Sequence, residues 1–341
     1  MACFLGFFLW VDKIMSAFVN VLMCTYNGEK YIRQQLDSIL DQSYEDFCIY
    51  VRDDGSTDKT TDIVRDYENM YKGKVVLIDA PKHLGYPDCF WDILERCPKA
   101  DYYAFSDQDD VWHKDKLVRA VATLNVKQGS HGEHDRANAT KIPLLYIHDY
   151  DNCDGELNLI SHHRLGSTSV LTDMSILFYT YASGFCMVID NTMRDMLLSL
   201  KLIGKAMYHD ELCIWLAHFH GEVFYDDSVL TKYRRHEDTV TEYGNGTLTL
   251  ISNWLRREIF GPEFGYKCSR IRRFLKLENE LNQHIGISSC MGEDVKKKWL
   301  LLSGGKGAFA RYFMRLFYMH RLRPSIGGEI ALRLMFLINR R

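Results

Sequence analysis

Asp107, Asp109 and Asp110 crowd three carboxylates into the segment Ser106-Asp107-Gln108-Asp109-Asp110-Val111-Trp112. They repel one another, so the cluster needs a counter-charge. A hard divalent cation, Mg2+ or Mn2+, would supply it through oxygen ligands. Such an ion can be held by one or two carboxylates and otherwise by the oxygens of a bound diphosphate. The other reading is an Asp-rich turn that caps the next helix, with Asp110 as N-cap. A rival pair with equally good Asp-x-Asp spacing, Asp149 and Asp151 in His148-Asp149-Tyr150-Asp151, follows the apolar run 144–147. Two more polar clusters, Thr25-Tyr26-Asn27-Gly28 and Asp53-Asp54-Gly55-Ser56, each close an apolar stretch. The first strand–helix turn holds no Gly-x-Gly-x-x-Gly, and the chain has no Gly-x-x-x-x-Gly-Lys-Ser/Thr. A dinucleotide-cofactor site and a P-loop are therefore both disfavoured.

These clusters need a frame that brings them together, and hydrophobic periodicity predicts one. Strands are expected at 19–24, 47–51, 75–78 and 102–105, with another at 144–147. Between them run helices whose inward faces carry Ile32, Leu36, Ile39 and Leu40, then Ile63, Val64, Tyr67 and Met70, then the segment 90–94, then Leu117, Val121 and Leu124. Ser56 or Thr57 is the expected N-cap of the second helix. Strands alternating with helices of this length argue for an α/β fold, a doubly wound and mostly parallel sheet flanked by helices. In such sheets ligands bind at the carboxyl ends of the strands, where all three polar clusters fall.

Thr25-Tyr26-Asn27-Gly28, Asp53-Asp54-Gly55-Ser56-Thr57-Asp58 and Ser106-Asp107-Gln108-Asp109-Asp110-Val111-Trp112, in this order, resemble glycosyltransferase family 2. The Asp-Gln-Asp-Asp-x-Trp form is similar to bacterial rhamnosyltransferase-like members, and the resemblance covers residues 19 to about 240. It implies a GT-A fold, a nucleotide-diphosphate sugar donor and an inverting reaction. Carried over position by position, Thr25, Tyr26 and Glu29 would line the base and ribose, and Asp53 or Asp54 would hydrogen-bond the pyrimidine or ribose. Asp107 and Asp109 would be the Asp-x-Asp pair, with Asp109 the direct ligand of Mn2+ or Mg2+. Gly184, in Ser183-Gly184-Phe185-Cys186, matches the segment that shapes the acceptor site. His209-Asp210-Glu211 matches the position of the catalytic base, assigned to Asp210. Tyr233-Arg234-Arg235-His236 matches a loop over the diphosphate, where Arg234 or Arg235 would meet developing charge and His236 would join the metal shell. Without the resemblance, Asp210 reads as the N-cap of a helix over 212–219, and His236 as a structural histidine. Two departures stand out. His83 opens His83-Leu84-Gly85-Tyr86 where the family usually has Asn, and Asp210 and Glu211 compete for one role.

With 341 residues, 47% of them hydrophobic and 26% charged, the chain is globular rather than disordered, and its length suits about two domains. The expected division is an N-terminal extension over 1–18, a GT-A domain over 19–250 and a helical basic region over 251–341. The apolar run 4–11 is broken by Asp12 and Lys13 and is too short to span a bilayer. Met15 is read as the natural start. Ten scattered cysteines without a Cys-x-x-Cys pair fit reduced thiols and a cytoplasmic address. The net charge of −3 hides an asymmetry: residues 256–341 carry 18 Lys and Arg against 7 Asp and Glu. The tail repeats Phe309, Phe313, Leu316 and Phe317, then Ile330, Leu334 and Leu337, with Arg311, Arg315, Arg321 and Arg323 nearby. Such helices either lie on the inner face of an anionic membrane or pack on the protein. The loop 128–141, with His131 and His134, reads as a surface insertion.

The expected activity is transfer of a sugar, L-rhamnose from dTDP-rhamnose, to a glycan or lipid-linked acceptor in surface-polysaccharide synthesis. A UDP-linked hexose or amino sugar is the alternative donor, and no nucleic acid partner is expected. A nucleotidyltransferase would carry a Gly-rich, basic loop after the first strand, for which Thr25 to Glu29 is a poor substitute. A non-catalytic scaffold subunit is disfavoured by the intact Asp107, Asp109 and Asp210.

Overall fold

The computed structural model describes residues 17–80, 82–130, 142–166, 171–179, 181–236, 263–284, 291–303, 318, 322–323 and 326–338. The readings on Met15, His131, His134, Phe309, Phe313, Leu316 and Phe317 lie outside these residues, as do those on Arg311, Arg315 and Arg321. The chain divides into two compact units: one runs to Gly166 and resumes over Ala182–His236, and the other comprises Ser167–Tyr181 with the chain beyond Glu237.

In the first unit, strands β1 (Val19–Thr25), β2 (Phe47–Asp53), β3 (Val75–Ile78) and β4 (Tyr102–Ser106) pair in the order β3-β2-β1-β4, all parallel. β1 is apolar almost throughout, with Val19, Val21, Leu22 and Met23 fully buried, as a strand covered on both faces must be. Its covering helices are amphipathic. α1 (Ile32–Leu40) buries Ile32, Leu36 and Ile39, and α2 (Thr60–Met70) buries Ile63, Val64 and Tyr67. Met70, expected inward, is exposed at the end of α2. The α2 start also differs from expectation. Asp58, not Ser56 or Thr57, accepts the Thr60 amide at 2.9 Å, while the Ser56 hydroxyl donates to Asp53 at 2.6 Å. α3 (Asp88–Arg96) and α4 (Lys116–Ser130) complete this half, and Leu117, Val121 and Leu124 of α4 are buried as expected.

Beyond β4 the sheet turns mixed. It adds β5 (Val111–Trp112), β6 (Leu144–Cys153), β7 (Leu159–His163), β8 (Met187–Asp190) and β9 (Glu222–Arg234), giving nine strands among the described residues. β8 runs antiparallel between β4 and β6, whereas β6 and β9 are parallel. α5 (Asn191–Ser199) is N-capped by Asp190, whose carboxylate accepts the Met193 amide at 2.9 Å. α6 (His209–His220) precedes β9. Strand order reverses between β1 and β4, and in a doubly wound sheet the crevice opens at that reversal, beyond the strand ends. Thr25 and Ser106 end the two strands there.

In the second unit, α7 (Glu263–His284), α8 (Glu293–Ser303) and α9 (Ile326–Ile338) are the described α-helices, and Ser175–Leu177 forms a short 3-10 turn. Trp299 of α8 is fully buried and donates its indole N–H to the Asp173 carbonyl at 2.8 Å. No helix among the described residues is long and apolar enough to cross a membrane.

Candidate functional site

Thr25 donates its hydroxyl to Asp53 at 2.8 Å, tying the end of β1 to the end of β2. Asp53 also accepts the amides of Gly55 and Ser56, so it folds its own turn and stands half-buried at the crevice. Asp54 points the other way. It is 4% exposed and pairs with Arg52, and it accepts the amides of Leu84 and Gly85 at 2.8 and 2.7 Å. Burial raises its pKa, but these amides and the guanidinium outweigh that and hold the carboxyl below its usual range. Arg52 in turn reaches Asp92 of α3 at 2.7 Å and the Lys82 carbonyl. Asp54 thus anchors the 82–85 segment, while Asp53 faces the β1 turn.

The turn after β1 is held by side chains from two other loops. Asn27, at φ +49°, accepts the Thr57 amide and gives its own amide to Ser56. The Gln108 side-chain amide pairs with both backbone groups of Tyr26, each bond 3.0 Å, as a neighbouring strand would. Gly28 makes that approach possible, since a Cβ there would stand 2.2 Å from the Gln108 Oε1. Tyr26 is left half exposed, tilted against His83. Glu29 lies at the start of α2, where its carboxylate accepts the Lys59 amide at 2.9 Å.

The acidic segment sits beside these groups, at the end of β4, the strand next to β1. Asp107 is half-buried, and its carbonyl accepts from the Gln35 side chain. Loss of hydration, then the charge of Asp109, push its carboxyl well above the usual range. Asp109 meets His236 at 2.8 Å. Asp110 is completely buried; its Oδ1 accepts the Arg234 amide at 3.1 Å, and its Oδ2 has no hydrogen-bond partner. Burial drives its pKa strongly upward, with Asp109 and Asp107 adding to it. Asp110 therefore does not cap α4, which begins six residues later. Of the expected metal ligands Asp107, Asp109 and His236, the structure joins Asp109 and His236 directly. Among the described residues no group of three His, Cys, Asp or Glu side chains is placed to hold a metal ion.

Arg234 is 2% exposed, and its guanidinium donates to the Asp109 carbonyl at 2.7 Å, to the Gly155 carbonyl and to Gln34 at 2.5 Å, while stacking over Tyr31. Its donors thus brace the acidic segment from behind. Arg235 is half-buried next to it, at the end of the described β9 segment. The rival pair is structural in its contacts. Asp149 accepts from the Leu165 amide and the Tyr225 hydroxyl, and Asp151 pairs with Arg164 and His162.

On the far side, α6 opens with His209, Asp210 and Glu211. Its N-cap is Tyr208 in extended conformation with no side-chain cap, so Asp210 lies in the first turn and is half-buried. A carboxylate there is favoured by the helix dipole. His209 is 3% exposed among Phe90, Phe105, Trp91 and Tyr86, and neither ring nitrogen has a hydrogen-bond partner. Burial pushes its pKa down to about 3. Gly184 explains how the imidazole fits: a Cβ there would lie 1.9 Å from the His209 Nε2. Gly184 and the residue before Asp210 are thus packed directly together.

Sequence reasoning missed Gln108 as a bridge, His209 as a buried wedge, and Lys116. Lys116 is fully buried and donates to the Phe185 carbonyl at 2.6 Å and to Thr231 at 3.3 Å, over the face of Trp112. It joins α4 to the 184–186 turn and to β9. A lysine among the inward positions of α4 was the available signal.

Comparison with known proteins agrees with this frame. Residues 20–141 match the family model described as glycosyl transferase family 2. The dTDP-rhamnosyl transferase RfbG of Shigella flexneri is 38% identical over 105 residues, covering 30% of this chain and 36% of that protein. The poly(ribitol-phosphate) beta-N-acetylglucosaminyltransferase TarS of Staphylococcus aureus (strain Mu50) is 32% identical over 108 residues, covering 31% of this chain and 18% of that protein. The chain thus aligns with little more than a third of these relatives' length at most. The crystal structure of S. aureus TarS 1-349 in complex with UDP-GlcNAc is similar over 94% of this chain and 90% of that one, with a TM-score of 0.54 and 17% identity. The motif order, the strand reversal and these matches agree: residues 20–141 are similar to glycosyl transferase family 2, and the fold is similar to that of TarS, a GT-A-like α/β fold.

Proposed function

We propose that the chain is an inverting glycosyltransferase moving a sugar from a nucleotide-diphosphate donor to a glycan or lipid-linked acceptor in surface-polysaccharide synthesis. The observation that carries the reading is the convergence of Thr25, Asp53, Asp107 and Asp109 at the β1/β4 reversal, with Asp210 in the first turn of α6. His209, next to Asp210, packs on Phe105 of β4 with ring centroids 4.7 Å apart, so the start of α6 lies against the strand that leads into the acidic segment.

In this reading Thr25, Tyr26 and Asp53 hold the base and ribose, with Asp54 fixing the 82–85 segment beside them and Glu29 the rim. Asp107 and Asp109, with His236, would hold Mn2+ or Mg2+, which when bound offsets charge on the diphosphate. Arg234 keeps the acidic loop in place, and Arg235 meets the diphosphate. Asp210 takes the acceptor hydroxyl proton as the new bond to the anomeric carbon forms. The bond to the nucleoside diphosphate breaks on the opposite face and its electron pair leaves with the diphosphate. Gly184 and His209 set the position of Asp210.

L-rhamnose from dTDP-rhamnose is the first-choice donor, supported by the Asp-Gln-Asp-Asp-x-Trp segment and by the name of the Shigella relative. A UDP-linked amino sugar is the second, on the name of the staphylococcal relative. The domain division follows the same reading: an extension over 1–18, a catalytic domain over 19–250 and a basic region over 251–341. In that region α9 exposes Ile326, Ile330 and Leu334 at four-residue spacing, a stripe suited to peripheral contact with an anionic membrane from the cytoplasmic side.

The test is thermal stability against dTDP, UDP, GDP and CDP, each with and without Mn2+ or Mg2+. A ligand at about 100 times its Kd stabilises a fold by about 2.7 kcal/mol. Metal-dependent stabilisation by dTDP supports the rhamnosyl reading, and a preference for UDP shifts the donor to the alternative. Silence towards all four, with folded protein, removes the transferase reading in favour of a scaffold.

A further inference from the structure

The short turn Gly184–Cys186 is gripped at three points. The Phe185 ring lies flat on Tyr233, centroids 4.7 Å apart and 9° from parallel, with Tyr150 edge-on at 4.9 Å. Gly184 lies against the His209 imidazole, where a Cβ would stand 1.9 Å from Nε2. The third grip is the Phe185 carbonyl, which accepts from the Lys116 ammonium at 2.6 Å. That ammonium also donates to the Thr231 hydroxyl at 3.3 Å, and its Nζ stands 3.4 Å from the centroid of the Trp112 ring. A carbonyl, a hydroxyl and a π-face are a complete set of partners for three N–H donors.

The other buried side chains of α4, Leu117, Ala120, Val121 and Leu124, are apolar. A methionine at 116 would fill the same space without taking a charge out of water, and apolar replacement of buried ions is often neutral for stability. What the ammonium adds is direction, since a charge-assisted hydrogen bond fixes one carbonyl in a way that apolar packing does not.

Its place in the chain gives that direction a consequence. Trp112, under the ammonium, comes two residues after Asp110 and pairs with Thr231 between β5 and β9. On the other side of the turn, Gly184 meets His209, the residue before Asp210. Lys116 thus bridges the strand that leaves the acidic segment and the turn on which the start of α6 rests.

We propose that Lys116 is a positioning residue: its ammonium fixes the Gly184–Cys186 turn, and through Gly184 and His209 it sets where Asp210 stands. The effect on turnover rests on the transferase reading with Asp210 as base; the placement itself does not.

The test is amide hydrogen exchange on the full chain at two reporters. One is the Cys186 amide, bonded to the Ser183 carbonyl at 3.0 Å, and the other the Leu212 amide, bonded to the Tyr208 carbonyl at 3.1 Å. In Lys116→Met both should exchange about fivefold faster or more, while the Leu84 and Gly85 amides, held by Asp54, keep their rates. In Thr231→Val, which leaves the ammonium one partner fewer, the Cys186 amide should exchange about twofold faster. Release of nucleoside diphosphate from dTDP-rhamnose and from UDP-GlcNAc, with Mn2+, is followed on the same samples. Lys116→Met should lower kcat about tenfold or more with KM within about twofold, because a displaced base slows the chemistry without loosening the donor. The proposal is overturned if either reporter keeps its wild-type rate in folded Lys116→Met, if Leu84 and Gly85 speed up as much as the reporters, or if an active enzyme keeps its kcat. Should Lys116→Met not fold, an unchanged Cys186 amide in Thr231→Val overturns it. A wild type that releases no nucleotide while the reporters respond leaves the placement standing and removes the transferase reading; nucleotide release with silent reporters does the reverse.

Discussion

The region around Asp54 and the region around His209 are both buried, polar and within a few residues of the crevice, yet they are built on opposite plans. Asp54 is met by Arg52, His83 and two backbone amides, and Arg52 extends the network to Asp92. His209 has aromatic neighbours on several sides and no hydrogen-bond partner on either nitrogen, and Asp110 leaves one buried oxygen unmatched. A buried polar atom without a partner costs about 1–3 kcal/mol, so such atoms are rare away from functional sites. The saturated network makes the β2 end a rigid shelf. The unsaturated groups lie beside the carboxylates assigned to chemistry, where stability is given up for position.

The largest effect that would sharpen this contrast is on rate. Asp210→Asn should lower sugar transfer by about 10²–10⁴-fold while nucleotide-dependent melting shifts persist. Preserved turnover would move the base role to Glu211. On the saturated side, Arg52→Met strands Asp54 and Asp92 without their shared cation and should cost about 3–5 kcal/mol in denaturant unfolding. A loss under 1 kcal/mol would mean the shelf is held by its amides alone.

His209 predicts a pH effect of definite sign. Its folded pKa is depressed to about 3, so below the unfolded value near 6.5 the unfolded chain takes up a proton that the folded chain refuses. Stability should therefore fall as pH drops, by about 2 kcal/mol between pH 6.5 and 5 from this residue. In His209→Phe the slope over that window should flatten; an unchanged slope would place the proton uptake elsewhere. Asp54 works in a lower window. Its depressed carboxyl stabilises above the unfolded pKa near 4 and loses that contribution only as pH falls further. The smallest expected effect is Thr25→Val, which removes one hydroxyl from Asp53 and should cost about 1 kcal/mol, because Ser56 and Gly55 still satisfy the carboxylate.

Much of the first half was legible because its signals are local. The strands at 75–78 and 102–105 and the inward faces of α1 and α4 follow from periodicity, which short-range side-chain burial imposes on any chain. The second half was harder to read. β8 is only four residues long, and β9 mixes Asp226, Asp227 and Lys232 into a 13-residue strand, so neither shows a clean alternation. Their antiparallel and parallel partners come from far along the chain, and no local pattern encodes pairing direction.

The site shows the same division. Residue types marked the acidic cluster Asp107 to Asp110, and the motif order with its resemblance to glycosyltransferase family 2 pointed to Asp53 or Asp54, Asp107, Asp109 and Asp210. Only the tertiary structure separated Asp53, at the crevice, from Asp54, locked behind it by Arg52. It likewise set Arg234 behind the acidic loop, with its donors on Asp109, Gly155 and Gln34, and seated His209 against Gly184. Adjacent residues in a strand or turn differ in burial and partners by the direction their side chains leave the backbone. That direction is decided by the neighbours the fold brings up from distant sequence, which the chemistry of each residue alone cannot specify.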